Sequence, residues 1–317
     1  MIKYIIKRLL HAVVTLCIVI TIVLLLLRQM PIEGYFDNYD KMSQAQINVK
    51  LESLGLNDPA PVQILNYFKQ LLQGDLGTSN KYRVDYPIAK IIAKKAPISI
   101  KLGVLAQLIA LAAGIPLGIA MSRSTRTRWK FWDKFGTVFI VIVQAVPSAV
   151  YYILIQLYGS EWLGVSMLFD EDKLSTWILP VLSLAIGNIA YYAMWLRRYM
   201  VDEANRDYIR LARAKGVPEG KISRSHIFRN AIVPIVQYIP SSFMLTMVGS
   251  LYVESLYSIP GMGGLLVQVI KVQDNTMVQA LVVIYAIISV LGLLLGDIFM
   301  ALLDPRISFA KKEGSRS

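Results

Sequence analysis

Apolar positions gather into six long stretches, at residues 9–27, 102–121, 135–158, 177–196, 232–256 and 277–303. A helix needs about 20 mostly apolar residues to cross a bilayer, and a helix satisfies its own backbone polar groups where no water can. The first four stretches contain no Asp, Glu, Lys or Arg; the fifth holds only Glu254 and the sixth only Asp297. This pattern predicts an all-α integral membrane protein with about six transmembrane helices. It leaves a long polar region at 28–97 after the first helix, a core at 98–305 and a tail at 306–317. The first stretch, preceded by Lys3, Lys7 and Arg8, also has the outline of a signal peptide. Its length and the lack of a small-residue cleavage site before Arg28 favour retention as a helix.

Charge orients this layout. Segments 1–8, 122–134, 197–231 and 304–317 carry 21 of the 33 Lys and Arg residues. Positively charged short loops stay on the cytoplasmic side, so both termini are expected there, and region 28–97 is expected outside. The formal charge of +12 would suit nucleic acid only if it lay on a folded polar surface, whereas here it sits between apolar runs, so no nucleic-acid partner is expected. A single cysteine, Cys17, excludes a disulfide framework and a thiolate zinc site, and with only His11 and His226 a histidine-rich metal site is excluded as well.

Two polar regions have internal order. Residues 61–72 place Val62, Leu65, Phe68 and Leu72 at near-helical spacing, which predicts a short amphipathic helix stopped by the glycines that follow. It serves either as a packed cap on the bundle or as a docking surface for an external partner. In the 197–231 loop, Asp207 is placed to cap a helix through Tyr208, Arg210, Leu211, Ala212, Arg213, Ala214 and Lys215, with Gly216 as its stop. Tyr208, Leu211 and Ala212 share one face, rimmed by arginines. Such a helix lies on anionic lipid or docks on a partner. Nearby, GVPEGK (216–221) imitates a phosphate-binding loop, but only three residues separate its glycines and Ile222 replaces the Mg²⁺-binding hydroxyl, so it is not a nucleotide site.

Within the spans, Asp297 is expected to hydrogen-bond structurally to another helix, with proton coupling as the alternative. Gln144, Asn188 and Gln237, with Pro147 and Ser148 beside them, are candidates for a neutral polar pathway, although interhelical packing explains them equally well. Gly114 with Gly118, and Gly292 with Gly296, read as close-packing faces. The segment from Ile259 through Pro260, Gly261 and Gly263 predicts a turn leading into a short re-entrant or surface helix.

Several of these stretches together resemble the permease subunits of oligopeptide, dipeptide and nickel type ABC importers. The resemblance rests on LGLNDPAPVQ at 54–63, GDLGTS at 74–79, ARAKG at 212–216, RNAIVP at 229–234, VESLYSIPGMGGLL at 253–266 and ALLDPRI at 301–307. It implies the type I importer permease fold in a bacterial inner membrane, with Asp207 to Gly216 contacting an ATPase and Glu254, Pro260, Gly261 and Gly263 forming an external gate. Aligned on Gly216, residues 210–212 stand where the general importer motif has Glu-Ala-Ala; only Ala212 and Gly216 match, so no coupling role rests on a glutamate there. The implied partners are a second homologous permease, two ATPase subunits, an extracytoplasmic solute-binding protein and membrane lipid. ATP and Mg²⁺ would be held by the partners, with no cofactor and no catalytic residue on this chain. Peptide is the expected solute, with nickel complexes or other small solutes in the same fold as alternatives, and a secondary transporter using Asp297 as the competing class.

Overall fold

The computed structural model describes residues 2–125 and 128–303; the expected tail at 306–317 and the DPRI end of ALLDPRI lie outside the described residues. The first apolar stretch is α1 (Ile2–Leu27). The polar region then folds through two 3₁₀ turns into α2 (Gln44–Ser53) and α3 (Ala60–Leu72), followed by a short antiparallel ribbon of β1 (Thr78–Ser79) and β2 (Tyr86–Pro87). Ser43 opens α2 with a reciprocal capping box to Gln46. Pro59 precedes α3, and Pro61 sits in its first turn, where a missing N–H costs nothing.

The second span is longer than its apolar stretch. Helix α4 (Ile88–Ser124) has 37 residues, about 55 Å at about 1.5 Å per residue, against about 30 Å of hydrocarbon. It therefore starts well inside the region expected to be loop, and Pro97 lies within it. The third stretch is not one helix. It breaks into α5 (Phe131–Ala145) and α6 (Ser148–Leu163), bent by 108°. Pro147 causes the break, forcing Val146 into the extended conformation (φ −87°, ψ 128°) that a residue before proline prefers.

Helix α7 (Ile178–Ala204) runs past its apolar stretch into the predicted loop, and α8 (Asp207–Ala214) follows after a two-residue link. The remaining loop is also helical: α9 (Glu219–Lys221), a π-helical segment (Ile222–Phe228) and α10 (Arg229–Ala231) lead into α11 (Val233–Met247). The fifth stretch breaks too, at Gly249 (φ +97°), before α12 (Leu251–Leu256). Helix α13 (Met262–Lys271) is short and inward-packed, and α14 (Asn275–Leu303) closes the described chain. Among the described residues four helices are thus long and apolar enough to span a membrane, or up to six if each bent pair counts as one, the second pair being Glu219–Ala231 with Val233–Leu256, bent by 49°.

Small residues set the helix pairs. At Gly114 and Gly118 an added Cβ would lie 2.9 Å from the carbonyl oxygens of Ile189 and Ala193, so α4 and α7 meet backbone to backbone. Gly296 does the same against Gln237 on α11, and Gly292 against Ser241. Close approach gains dispersion contacts where lipid gives no hydrophobic drive, so both glycine pairs act as packing faces. The main core joins Leu102 of α4, Tyr192 and Leu196 of α7, Ile209 of α8, Ile235 of α11 and Tyr257. Helix α1 stays outside this core and packs along α14.

Candidate functional site

The two broken helices and α7 bound a cleft of about 280 Å³. Its polar lining comprises Tyr152 of α6, Asn188 of α7, Tyr238, Ser242 and Thr246 of α11, and Ser250 at the second break. Among the described residues no charged side chain lines it. Behind the cleft the fully buried Gln107 of α4 donates to the Tyr192 hydroxyl, while its Oε1 receives Ser242 Oγ at 3.2 Å and Asn188 Nδ2 at 3.4 Å. A buried amide left unbonded costs about 1–3 kcal/mol, so this satisfied network holds Asn188 and Ser242 in one arrangement. Tyr191 stacks on Tyr238 with ring centroids 4.2 Å apart and stiffens the same wall.

Of the five pathway candidates, only Asn188 lines the cleft. Gln144 is exposed on α5 and reaches Met194 Sδ at 3.3 Å; Pro147 and Ser148 form the exposed elbow between α5 and α6. Gln237 faces away and donates to Asp297 at 3.2 Å. Asp297 is also paired with Arg8 of α1 at 3.0 Å, the structural role expected of it. Tyr152, Tyr238, Ser242 and Thr246 escaped sequence reasoning, because hydroxyl residues in a span pack or line a path with the same spacing. Their proximity to a proline break and a glycine break was the available signal.

At one end of the cleft a single carboxylate gathers three segments. Glu254 on α12 is 2% exposed; its Oε1 accepts from Ser99 of α4 at 2.7 Å and its Oε2 from the Gly264 amide at 3.0 Å. Ser99 in turn accepts from the Met262 amide at 2.8 Å. A Cβ at Gly249 or Gly261 would fall 2.2 Å or 2.5 Å from the Glu254 carboxylate, and one at Gly263 would strike the Ser250 backbone at 2.8 Å. The glycines are there because the carboxylate and the backbone occupy the space of a side chain. Pro260 sits in the turn between α12 and α13, exposed beside these contacts.

The opposite end carries α8. Asp207 does not cap it: Arg206 holds the cap position without a side-chain bond, and Asp207 lies in the first turn, paired with Arg210 at 3.4 Å while almost fully exposed. The expected Tyr208, Leu211, Ala212 face also divides. Ile209, fully buried in the main core, anchors the helix, Ala212 is half-buried, and Leu211 is 55% exposed. Arg210, Leu211, Ala214 and Lys215 therefore look outward. Gly216 ends the helix at φ +71°, with Gly216 N–H donating to Arg213 and Val217 N–H to Ala212. Arg213 is bound to Glu219 at 2.6 Å. The Tyr208 hydroxyl turns inward: it donates to Glu203 of α7 and accepts from Asn230 of α10 at 2.7 Å, and Asn230 also donates to Glu203 at 3.0 Å. Burial and, after it, the Glu203 carboxylate push this phenol above its ordinary pKa. Beside α8, an open groove of about 690 Å³ presents Arg123, Lys221 and Arg224 against the one carboxylate of Glu219 among the described residues. It is walled by the π-helical segment, a rare geometry that accompanies functional sites.

The profile described as "Binding-protein-dependent transport system inner membrane component" matches residues 114–309, and its N-terminal companion, a binding-protein-dependent transport system membrane component, matches residues 1–100. Over 309 residues the chain is 31% identical to the oligopeptide transport system permease protein OppB of Salmonella typhimurium, covering 98% of this chain and 100% of that one. Over 307 residues it is 30% identical to the dipeptide transport system permease protein DppB of Lactococcus lactis, covering 97% and 99%. The crystal structure of an amino acid ABC transporter with histidines shares the fold, with a TM-score of 0.50 at 18% identity over 69% of this chain and 94% of that one.

Proposed function

Because this chain belongs to the family of binding-protein-dependent transport system inner membrane components, we propose that it forms one half of the translocation path of an ATP-driven peptide importer. The observation that carries the reading is the uncharged, hydroxyl- and amide-lined cleft at the two helix breaks, on a chain similar along nearly its whole length to oligopeptide and dipeptide permeases. Neutral donors and acceptors contact a peptide backbone without holding either of its charged ends, which suits a path that must release its cargo. A second homologous permease would close the open side of the cleft.

Two ATPase subunits would hold ATP and Mg²⁺ and perform hydrolysis, one of them seating on α8 and the basic groove beside it. Closure of the ATPases would push α8, and Ile209 and the Glu203–Tyr208–Asn230 cluster would pass that displacement to α7 and α11, whose side chains form the cleft wall. The segment carrying Glu254, Pro260, Gly261 and Gly263 would form the external gate under a solute-binding protein. The distribution of Lys and Arg supports cytoplasmic termini.

The test is uptake into proteoliposomes holding this chain, its companion permease, both ATPases and the binding protein. ATP-dependent accumulation of labelled di- or oligopeptides is expected, with nickel complexes excluded in parallel. Gradient-driven uptake by this chain alone would instead assign a secondary transporter.

A further inference from the structure

We propose that a second pocket, enclosed by the end of α1, helix α3 and the start of α14, binds the phosphate-bearing headgroup of an anionic phospholipid. The pocket has a volume of about 270 Å³ and is lined by Leu27 and Arg28, where the apolar run of α1 gives way to the polar region. The proposal depends on α1 crossing the bilayer and not on the identity of the transported solute.

The chemistry of the walls selects the ligand. Among the described residues Arg28 is the one cation that lines the pocket, and no carboxylate lines it. Its guanidinium spends one contact on the Asp58 carbonyl at 3.3 Å, leaving the rest of a five-donor fork unused among the described residues. Asn66, Gln70 and Gln279 add neutral amides to the same lining. Tyr67 projects its hydroxyl into buried space where, among the described residues, it bonds to nothing. Burial pushes that phenol up to about 12, so it stays protonated and able to donate at neutral pH. A buried hydroxyl without a protein partner is satisfied by an ordered water or by a group of a bound ligand.

The floor of the pocket specifies where that group comes from. Leu24, Leu25 and Leu27 line it, and Leu25 is at the same time 42% exposed on the face of α1 that carries Ile22 and Leu26 outward. An apolar track thus runs from the pocket onto the lipid-facing side of α1. A phosphate seated on Arg28 and Tyr67 leaves its acyl chains on that track, whereas a free phosphate makes no use of it. A guanidinium with amide neighbours matches the oxygens of a phosphodiester, and the apolar wall matches the acyl chains attached to it.

Native mass spectrometry of the purified full chain, titrated with phosphatidylglycerol or phosphatidylcholine, tests the assignment. One phosphatidylglycerol per chain is expected at occupancy well above that of phosphatidylcholine. Arg28→Gln is expected to lower it by about fivefold, the effect of one interfacial cation. Tyr67→Phe keeps the ring and removes only the hydroxyl, so it is expected to fold and to lose occupancy as well. Lys69→Gln, a cation on α3 outside the pocket, is expected to change nothing. Equal occupancy of both lipids, or full occupancy in both Arg28→Gln and Tyr67→Phe, overturns the proposal. So does displacement of the bound lipid by millimolar glycerol 3-phosphate, which would make the site one for soluble phosphate.

Discussion

Arg8 and Asp297 close an ion pair at 3.0 Å between α1 and α14, with Gln237 of α11 donating to the other carboxylate oxygen. The pair ties the outlying first helix to the bundle at the α8 end of the molecule. Held by a guanidinium and an amide, the carboxylate serves as a strut between three helices. A double-mutant cycle with Arg8→Gln and Asp297→Asn should give a coupling energy of about 0.5–1 kcal/mol, because both groups retain some water and polar pairs in membranes average less than their burial suggests. Thermal unfolding in detergent measures it. ATP-driven uptake should persist in Asp297→Asn; collapse of uptake with stability unchanged would restore a functional reading of this acid.

At the other end of the cleft, Gly249→Ala should destabilise the protein by more than about 2 kcal/mol. Its φ of +97° disfavours any side chain, and the new Cβ would meet the Glu254 carboxylate. Gly261→Ala lacks the positive φ but meets Ser99 Oγ and the same carboxylate, so pairing it with Glu254→Ala should recover only the carboxylate's share of the loss. No recovery in the double variant would show that the steric conflict lies elsewhere.

Gly216 behaves differently, because a Cβ there would meet nothing within 4 Å. Only the positive φ of +71° opposes a substitution, a cost of about 1–2 kcal/mol. Gly216→Ala should therefore fold, and a bulky residue there should fold yet alter the outward surface of α8. The expected result is reduced peptide uptake per ATP hydrolysed. Unchanged transport and unchanged stimulation of hydrolysis would separate this turn from energy coupling.

Tyr208→Phe probes the inward side of the same helix. It keeps the ring and removes the hydroxyl shared by Glu203 and Asn230. Uptake should fall severalfold while unfolding temperature moves little, since Asn230 still reaches Glu203 at 3.0 Å. A parallel fall in ATP hydrolysis would mean that the docking surface itself had been lost.

Asp274 anchors the polar region between α1 and α4. Its buried Oδ2 accepts from Ser79 Oγ at 2.6 Å and from the amides of Asn80, Lys81 and Tyr82 at 3.0–3.1 Å; its Oδ1 accepts from Met277 N–H at the start of α14. Asp274→Ala would strand these donors at a cost of about 3 kcal/mol or more. Limited proteolysis between residues 79 and 87 should accelerate strongly. Equal proteolysis of wild type and variant would count against the latch.

Hydrophobic runs, glycine spacing and charge placement carried much of the layout. Long apolar stretches have one way to satisfy their backbone in lipid, so the spans were legible, and Gly114, Gly118, Gly292 and Gly296 announced their close contacts because a missing side chain is useful only where another backbone approaches. The helix after Arg206 and its stop at Gly216 were legible from local backbone preference. Asp207 misled because an acid in the first turn and an acid at the cap look alike in sequence; which residue leaves the helical backbone region is decided by how α7 hands the chain to α8.

What the chain determined by itself is therefore local and periodic: which segments are apolar enough to cross a membrane, where small residues pack, and where a short helix ends. Tertiary structure alone decided which polar residues meet. Asn188 lines the cleft while Gln144 and Gln237 do not, Ile209 anchors α8 instead of Tyr208 and Leu211, and Asp297 finds Arg8 nearly the whole chain away. An amide or hydroxyl in a helix has the same spacing whether it faces a path, a neighbouring helix or lipid. Only the rotation of each helix against its partners, and the bends at Pro147 and before Val233 that re-aim α6 and α11, settle which it faces.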